Sequence, residues 1–275
     1  MRNLHHQFIK EMEIAGYISS ILIGISLGLI GGGGSILTVP VLVYLFHVDA
    51  ISATAYSLFI VGTTSIIGSV SYFRKGLVNI KTAVIFGIPS IIAVYLTRAY
   101  IVPSIPEHLF STGHLHITKT IFIMSLFAVL MVLASYNMII NKTDKSRETA
   151  SPQSFNYPVI LLEGMVVGTL TGLVGAGGGF LIIPALVVLS KLPMKEAIGT
   201  SLVIIAAKSL IGFSGEHLPS MNWSFLFSVT AFAIAGIFIG TALSKKIDGD
   251  KLKPAFGWFI LLMGISILVR ELLFR

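Results

Sequence analysis

The sequence predicts an all-α, polytopic membrane protein built from two inverted repeats. Each repeat has about five helical segments and opens with a short hairpin broken by glycines. Three observations predict this. Of 275 residues, 55% are hydrophobic and only 11% charged, at a mean hydropathy of +0.91, where a soluble domain carries about 25% charged residues. The chain overlays itself at a fixed offset (172 − 28 = 144, from Gly28 onto Gly172). The charge of equivalent loops also reverses between the two copies.

Long runs nearly free of charge recur along the whole chain, as helical membrane spans require. The alternating pattern of an outer-membrane barrel is absent. The net charge of +7 resides mainly in short loops between apolar runs, which reads as membrane orientation and not as nucleic-acid binding. The chain has 0 cysteines, which excludes disulfides and thiolate chemistry. The first apolar run starts near Ile14, lacks a small-residue cleavage site and leads into a glycine cluster, so it is expected to be retained.

The duplication is carried by identical residues. Gly28, Gly31, Gly33, Gly34 and Pro40 fall on Gly172, Gly175, Gly177, Gly178 and Pro184. Ala53, Ser57, Leu58, Ile60, Ser65 and Gly68 fall on Ala197, Ser201, Leu202, Ile204, Ser209 and Gly212. The expected organisation is a tail over 1–13, a first repeat over 14–140, a polar linker over 141–157 and a second, inverted repeat over 158–275. Apolar segments are expected at 14–30, 35–46, 52–73, 79–100 and 117–140, then at 158–174, 179–190, 194–214, 222–243 and 253–273. The last three of each set are long enough to cross a bilayer, which takes about 20 residues. The first two are short and joined by the glycines, so they form either a re-entrant hairpin or two tilted, broken spans.

An odd number of segments turns the second repeat upside down. The loop "FRKGLVNIK" carries three basic residues and its counterpart "SGEHLPSMN" none, whereas "VPSIPEHLFSTGHLH" carries none and "SKKIDGDKLK" four. Such a reversal is what an inverted repeat under the positive-inside rule requires. Of 19 Lys and Arg, twelve then lie inside, six outside and one within the membrane, with both termini outside.

The stretches "GLIGGGGSILTVP" (28–40) and "GLVGAGGGFLIIP" (172–184) put irregular backbone at membrane depth. Such backbone is tolerated only when buried in protein or lining a cavity. A helix that starts just after the glycines points its first N–H groups and positive dipole end inward. Without side-chain bulk, an anion can reach that backbone closely. Two such starts near the midplane form the geometry of an anion transporter, with Gly33, Gly34, Ser35, Gly177, Gly178 and Gly179 as binding candidates. The competing reading is close helix packing of the small-xxx-small kind. The missing GK[ST] ending and the absence of a soluble βαβ context argue against a nucleotide loop.

Lys208 lies well inside segment 194–214. An ionisable group at such depth costs about 2.5–3.5 kcal/mol on insertion scales and faces a cavity or a partner. Helical spacing places it on one face with Ser201, and the equivalent face of the first repeat carries Ser57 and Thr64. These residues, with Thr200, complete the candidate site: hydroxyls and one ammonium around an oxyanion. The alternative for Lys208 is snorkelling to an interface. Glu163 and Glu216 fall near segment ends, where interfacial placement is cheap; Glu163 is also the candidate carrier of a coupling proton. His108, His114 and His116 share an outside loop without metal-ligand spacing. No metal, cofactor or catalytic group is expected.

These motifs, "GLIGGGGSILTVPVL" with "TAYSLFIVGTTSIIGSVSYF" and "GLVGAGGGFLIIPAL" with "AIGTSLVIIAAKSLIGF", resemble the TauE/SafE family of sulfite-exporter-like permeases. The resemblance runs from about Ile14 to Leu268. It implies a multi-pass inner-membrane carrier that moves small sulfur-containing anions, such as sulfite or sulfonates, outward. "GTSL" occurs in the second half only, against "AYSL" in the first, so the two half-sites are expected to bind unequally.

The functional expectation is a secondary transporter of a small inorganic or organosulfur anion. It works in the lipid bilayer by alternating access between the halves, driven by a proton, a cation or the anion's own gradient. The runner-up within transport is an anion channel. A membrane scaffold subunit is a third possibility, but it has no need of duplicated broken helices. An intramembrane enzyme would need a nucleophile and base, or clustered ligands, at membrane depth.

Overall fold

A computed structural model describes residues 2–112, 115–140, 157–175, 177–188, 192–216, 221–244 and 249–273. The first half contains α1 (Arg2–Ile30), α2 (Gly33–Tyr44), α3 (Ala50–Arg74), α4 (Ile80–Leu96), a π-helical turn (Thr97–Ile101) and a last turn, α5 (Val102–Ser104). A short antiparallel hairpin, β1 (His108–Thr112) and β2 (Leu115–Thr118), leads into α6 (Lys119–Ile140). The second half contains α7 (Tyr157–Val174), α8 (Gly179–Val188), α9 (Met194–Ser214), α10 (Trp223–Leu243) and α11 (Gly249–Leu273). The protein is a helical membrane protein. Five of its described helical stretches are long and apolar enough to span a bilayer: 50–74, 80–104, 119–136, 194–214 and 223–243. The expected linker lies almost wholly outside the described residues, as does His114.

Element ends follow local chemistry. Asp49 caps α3, its carboxylate accepting from the N–H groups of Ile51 (3.0 Å) and Ser52 (3.3 Å). Asn79 and Asn222 cap α4 and α10 in the same way, accepting from Thr82 (3.0 Å) and Phe225 (3.1 Å). The apolar segment 14–30 is helical, and its helix extends back to Arg2, because residues 2–13 contain neither Gly nor Pro to stop the ladder. The expected loop after α5 instead forms the β-hairpin, whose Phe110, Thr112, Ile117 and Thr118 are strand-forming residues.

The helices pack through glycine. α1 lies along α10 and α7 along α4. A side chain at Gly28 would strike the backbone at Thr241, and one at Gly172 would strike Thr97. A side chain at Gly31 would meet Ile198, and one at Gly175 would meet Thr54. In each pair of contacts both members are displaced by the repeat offset (241 − 97 = 144 and 198 − 54 = 144). α3 packs on α9 and α6 on α11, again repeat on repeat. Leu27, Val61, Ile182, Ile205 and Ile237 are buried between these layers. Outward-facing Ile18, Leu22, Leu162, Phe238 and Leu262 stay exposed, an apolar exterior suited to lipid. Phe59, Phe213, Trp223 and Phe227 cluster where α9 ends and α10 begins, as aromatic residues do at a membrane interface.

Candidate functional site

The two glycine clusters break the helices where the sequence places them. Gly31 (φ 76°) and Gly175 (φ 72°) hold the same left-handed conformation, which costs other residues about 1–2 kcal/mol. Their N–H groups close the preceding helices on equivalent carbonyls, those of Leu27 (2.7 Å) and Thr171 (2.9 Å). Beyond that point the copies diverge. α2 restarts at Gly33, whereas α8 restarts at Gly179 after two further left-handed residues, Gly177 (φ 62°) and Gly178 (φ 72°). The second break is the wider one. The two restarts touch: neither Gly32 nor Gly179 has room for a Cβ, because the backbone of the other occupies it. No side chain caps the start of α2, so its first N–H groups are left to other partners.

Lys208 borders the wider break. It is 0% exposed, and its ammonium donates to Thr171 Oγ1 at 2.8 Å. A Cβ at Gly178 would lie 2.6 Å from Lys208 Nζ, and one at Gly177 would lie 3.2 Å from Ser209 Oγ. Lys208 makes no ion pair among the described residues, so its charge stands at the break without a counter-ion there. The backbone spacing explains the placement. On α9, Ile198, Ser201, Ile205 and Lys208 share one face, and on α3 the equivalent face carries Thr54, Ser57, Val61 and Thr64. Gly175, Gly177 and Gly178 sit against both faces, through Thr54 and Val61 on one side and Lys208 and Ser209 on the other.

The remaining candidates divide into two groups. Ser57 is fully buried, and its hydroxyl finds no partner among the described residues; Ser65 and Ser209 behave alike. Ser35, Thr64 and Ser201 are also buried, but their hydroxyls bond back to the carbonyls of Gly32 (2.7 Å), Ile60 (2.7 Å) and Ile198 (2.8 Å). Thr200 is occupied elsewhere: its hydroxyl accepts from the N–H of Asn79 at 2.9 Å, at the α3–α4 connection. The neighbouring Glu196 accepts from the Asn79 amide at 3.0 Å. Gly33 and Gly34 form the first turn of α2, with Gly34 pressed against Ile23 and Leu27 of α1. Glu163 is half-buried on α7, and its Oε2 has no partner among the described residues. No group of three metal-binding side chains occurs among the described residues.

Sequence reasoning missed one charged group. The positive-inside topology puts Arg98 among the six outside charges, at the end of a span, yet it is 1% exposed. Its Nη1 donates to Thr54 Oγ1 at 3.0 Å and pairs with Glu216 Oε1 at 3.0 Å. Its Nη2 occupies the space a Cβ at Gly175 would need. The signal available in the sequence was a cation at the end of a long apolar run with no counterpart in the other repeat, where Ala242 stands. What could not be read is the π-helical turn that carries it.

A cavity of about 300 Å³ opens elsewhere, between α3 and α10, lined by Gly68, Ser71, Arg74, Lys75 and Thr241 among others. Lys208, Ser57 and Thr64 are themselves sealed from solvent. The breaks are thus occluded in this conformation.

Comparison with known proteins bears on this arrangement. Residues 17–267 match the protein family described as "Sulfite exporter TauE/SafE". A "Probable membrane transporter protein" of Xylella fastidiosa is 29% identical over 266 residues, spanning 91% of this chain and 92% of its own length. The "Probable membrane transporter protein YunE" of Bacillus subtilis is 28% identical over 261 residues, spanning 87% and 91%. A similarly named protein of Methanocaldococcus jannaschii is 26% identical over 268 residues, spanning 92% and 94%. No solved structure matches significantly.

Proposed function

The chain belongs to the sulfite exporter TauE/SafE family and is a multi-pass membrane transporter, and from that premise we propose that it carries a small oxyanion outward across the cell membrane. Sulfite or a related sulfur oxyanion or organosulfonate is the substrate class. The observation that carries this reading is Lys208, a sealed ammonium set against the glycine break at Gly178 with no ion-pair partner among the described residues. A cation buried without a counter-charge is costly, and a bound anion removes that cost. The broken backbone adds N–H groups, and the small residues leave room for close approach.

Alternating access between inverted halves draws support from the exchanged contacts: Gly28 with Thr241 and Gly172 with Thr97, Gly31 with Ile198 and Gly175 with Thr54. Two halves that grip each other through the same surfaces can rock about one point, where Gly32 meets Gly179. The occluded position of Lys208 favours a carrier over an open channel. Proton coupling gives Glu163 a role, since its carboxylate lies in the membrane with one oxygen buried.

The test is uptake into proteoliposomes of sulfite, sulfate, thiosulfate and methanesulfonate, with and without a pH gradient. Saturable flux of at least one of them, with counterflow, is expected. Flux without counterflow replaces the carrier with a channel, and no flux of any of the four removes the reading.

A further inference from the structure

The wider of the two glycine breaks has a second cation on it. Arg98 projects from the π-helical turn 97–101, and single π turns within α-helices concentrate at functional positions. In the second half the matching residues begin at Thr241, where α10 is one turn from its end at Leu243, and Ala242 stands in the arginine's place. The arginine is therefore a feature of one half only, and it lies against the wider of the two breaks, at Gly175.

The hydrogen bonds of the guanidinium are unevenly spent. Thr54 and Glu216 both engage Nη1. Nε and Nη2 are buried and find no acceptor among the described residues. Those two nitrogens form one edge of the planar fork, and their parallel N–H groups match two oxygens of a carboxylate-, sulfite- or sulfonate-type group. The unspent edge has its Nη2 against the Gly175 backbone, where glycine leaves no side chain in the way. A purely structural ion pair would orient this edge, not Nη1 alone, toward its carboxylate, because bidentate pairing is the stronger arrangement.

We infer that Arg98 is a substrate-binding and specificity-determining residue, and that its Nε–Nη2 edge grips two oxygens of the anion at the Gly175 turn. The inference rests on the transport reading above and refines it. Lys208 supplies a point charge at Gly178, three residues along the same turn, and Arg98 supplies a planar fork at Gly175. The pair selects oxyanions, which present two coplanar oxygens, over spherical anions such as chloride. Glu216 holds the guanidinium in place and competes with the anion for its charge.

The experiment is calorimetric titration of the purified full-length protein in detergent with sulfite (kept anaerobic), sulfate, thiosulfate, methanesulfonate and chloride. Arg98→Lys keeps the charge but removes the fork. It is expected to weaken oxyanion binding at least tenfold while leaving chloride binding within twofold. Glu216→Gln removes the competing carboxylate and is expected to tighten oxyanion binding severalfold, whereas a structural pair predicts weaker or unchanged binding. Oxyanion affinity within twofold of wild type in Arg98→Lys overturns the assignment. So does Glu216→Gln binding no tighter than wild type, and that variant alone decides if Arg98→Lys does not fold. Wild-type protein that binds none of the four oxyanions overturns the transport reading, and this inference with it.

Discussion

Lys208 Nζ donates to Thr171 Oγ1 across 2.8 Å, tying α9 to the last turn of α7 just before the second break. The bond spends one of three donors. Lys208→Ala removes the cation and is expected to cut oxyanion flux by roughly ten- to a hundredfold, the worth of a charged hydrogen bond at about 1.5–3 kcal/mol. Expression and the size-exclusion profile in detergent should be unchanged, because loss of a buried charge is no burden on folding. Thr171→Val should do the reverse in stability: it strips the ammonium of its acceptor and lowers the unfolding temperature. Wild-type flux from Lys208→Ala would remove this residue from the path.

The glycines that line the breaks leave no space for side chains. At Gly178 a Cβ would meet Thr171 as well as the Lys208 ammonium, and φ is 72°. At Gly34 it would run into Ile23 and Leu27. Gly178→Leu and Gly34→Leu are each expected to abolish flux, measured in proteoliposomes at matched protein content. Gly76 also has positive φ, but nothing lies within 4 Å of it. Gly76→Ala therefore serves as the control: a local strain penalty of about 1 kcal/mol with flux retained. Equal losses in all three would reduce the break glycines to backbone strain alone.

Thr200 separates binding from architecture. Its hydroxyl accepts from the Asn79 N–H at 2.9 Å, and Asn79 in turn caps α4. Thr200→Val leaves that N–H unpaired and should destabilise the protein by about 1–3 kcal/mol. Affinity for the transported oxyanion should stay within twofold, read by titration of the folded variant. A large loss of affinity with an unchanged melting temperature would return Thr200 to the site.

How far the sequence reached follows from the kind of signal. Long-range repetition and charge-free runs survive at the level of residue type, so the helices, both breaks and the burial of Lys208 and Ser57 were legible. Depth within a segment was readable for Lys208 because apolar residues flank it on both sides. Arg98 has apolar residues on both sides too, yet it stands at the end of a span, where a loop charge and a buried one look alike. Its burial depends on the π-helical turn and on Gly175 of the other repeat, a contact no local pattern encodes. Thr200 is the opposite case. It adjoins Ser201 in a motif, but successive helical residues point about 100° apart, and Thr200 faces the α3–α4 connection.

An inverted arrangement would make the sharpest demand on the loops. On the topology expected from the twelve-to-six excess of Lys and Arg on one side, the cytoplasm takes the α3–α4 connection at Lys75 and the start of α9 at Lys195. The outside then takes the loop at Glu107 and the start of α10 at Ser224. All four residues are exposed, and the chain has 0 cysteines to interfere. Single substitutions Lys75→Cys, Lys195→Cys, Glu107→Cys and Ser224→Cys can therefore be probed with a membrane-impermeant maleimide on intact cells. Glu107→Cys and Ser224→Cys are expected to label directly, and Lys75→Cys and Lys195→Cys only after permeabilisation. α3 and α9 are repeat equivalents, so the C-terminal end of α3 near Lys75 and the N-terminal end of α9 near Lys195 share one side only if the halves run in opposite directions. Labelling of Lys75→Cys and Lys195→Cys on opposite sides would mean parallel repeats, and rocking about Gly32 and Gly179 would lose its geometric basis.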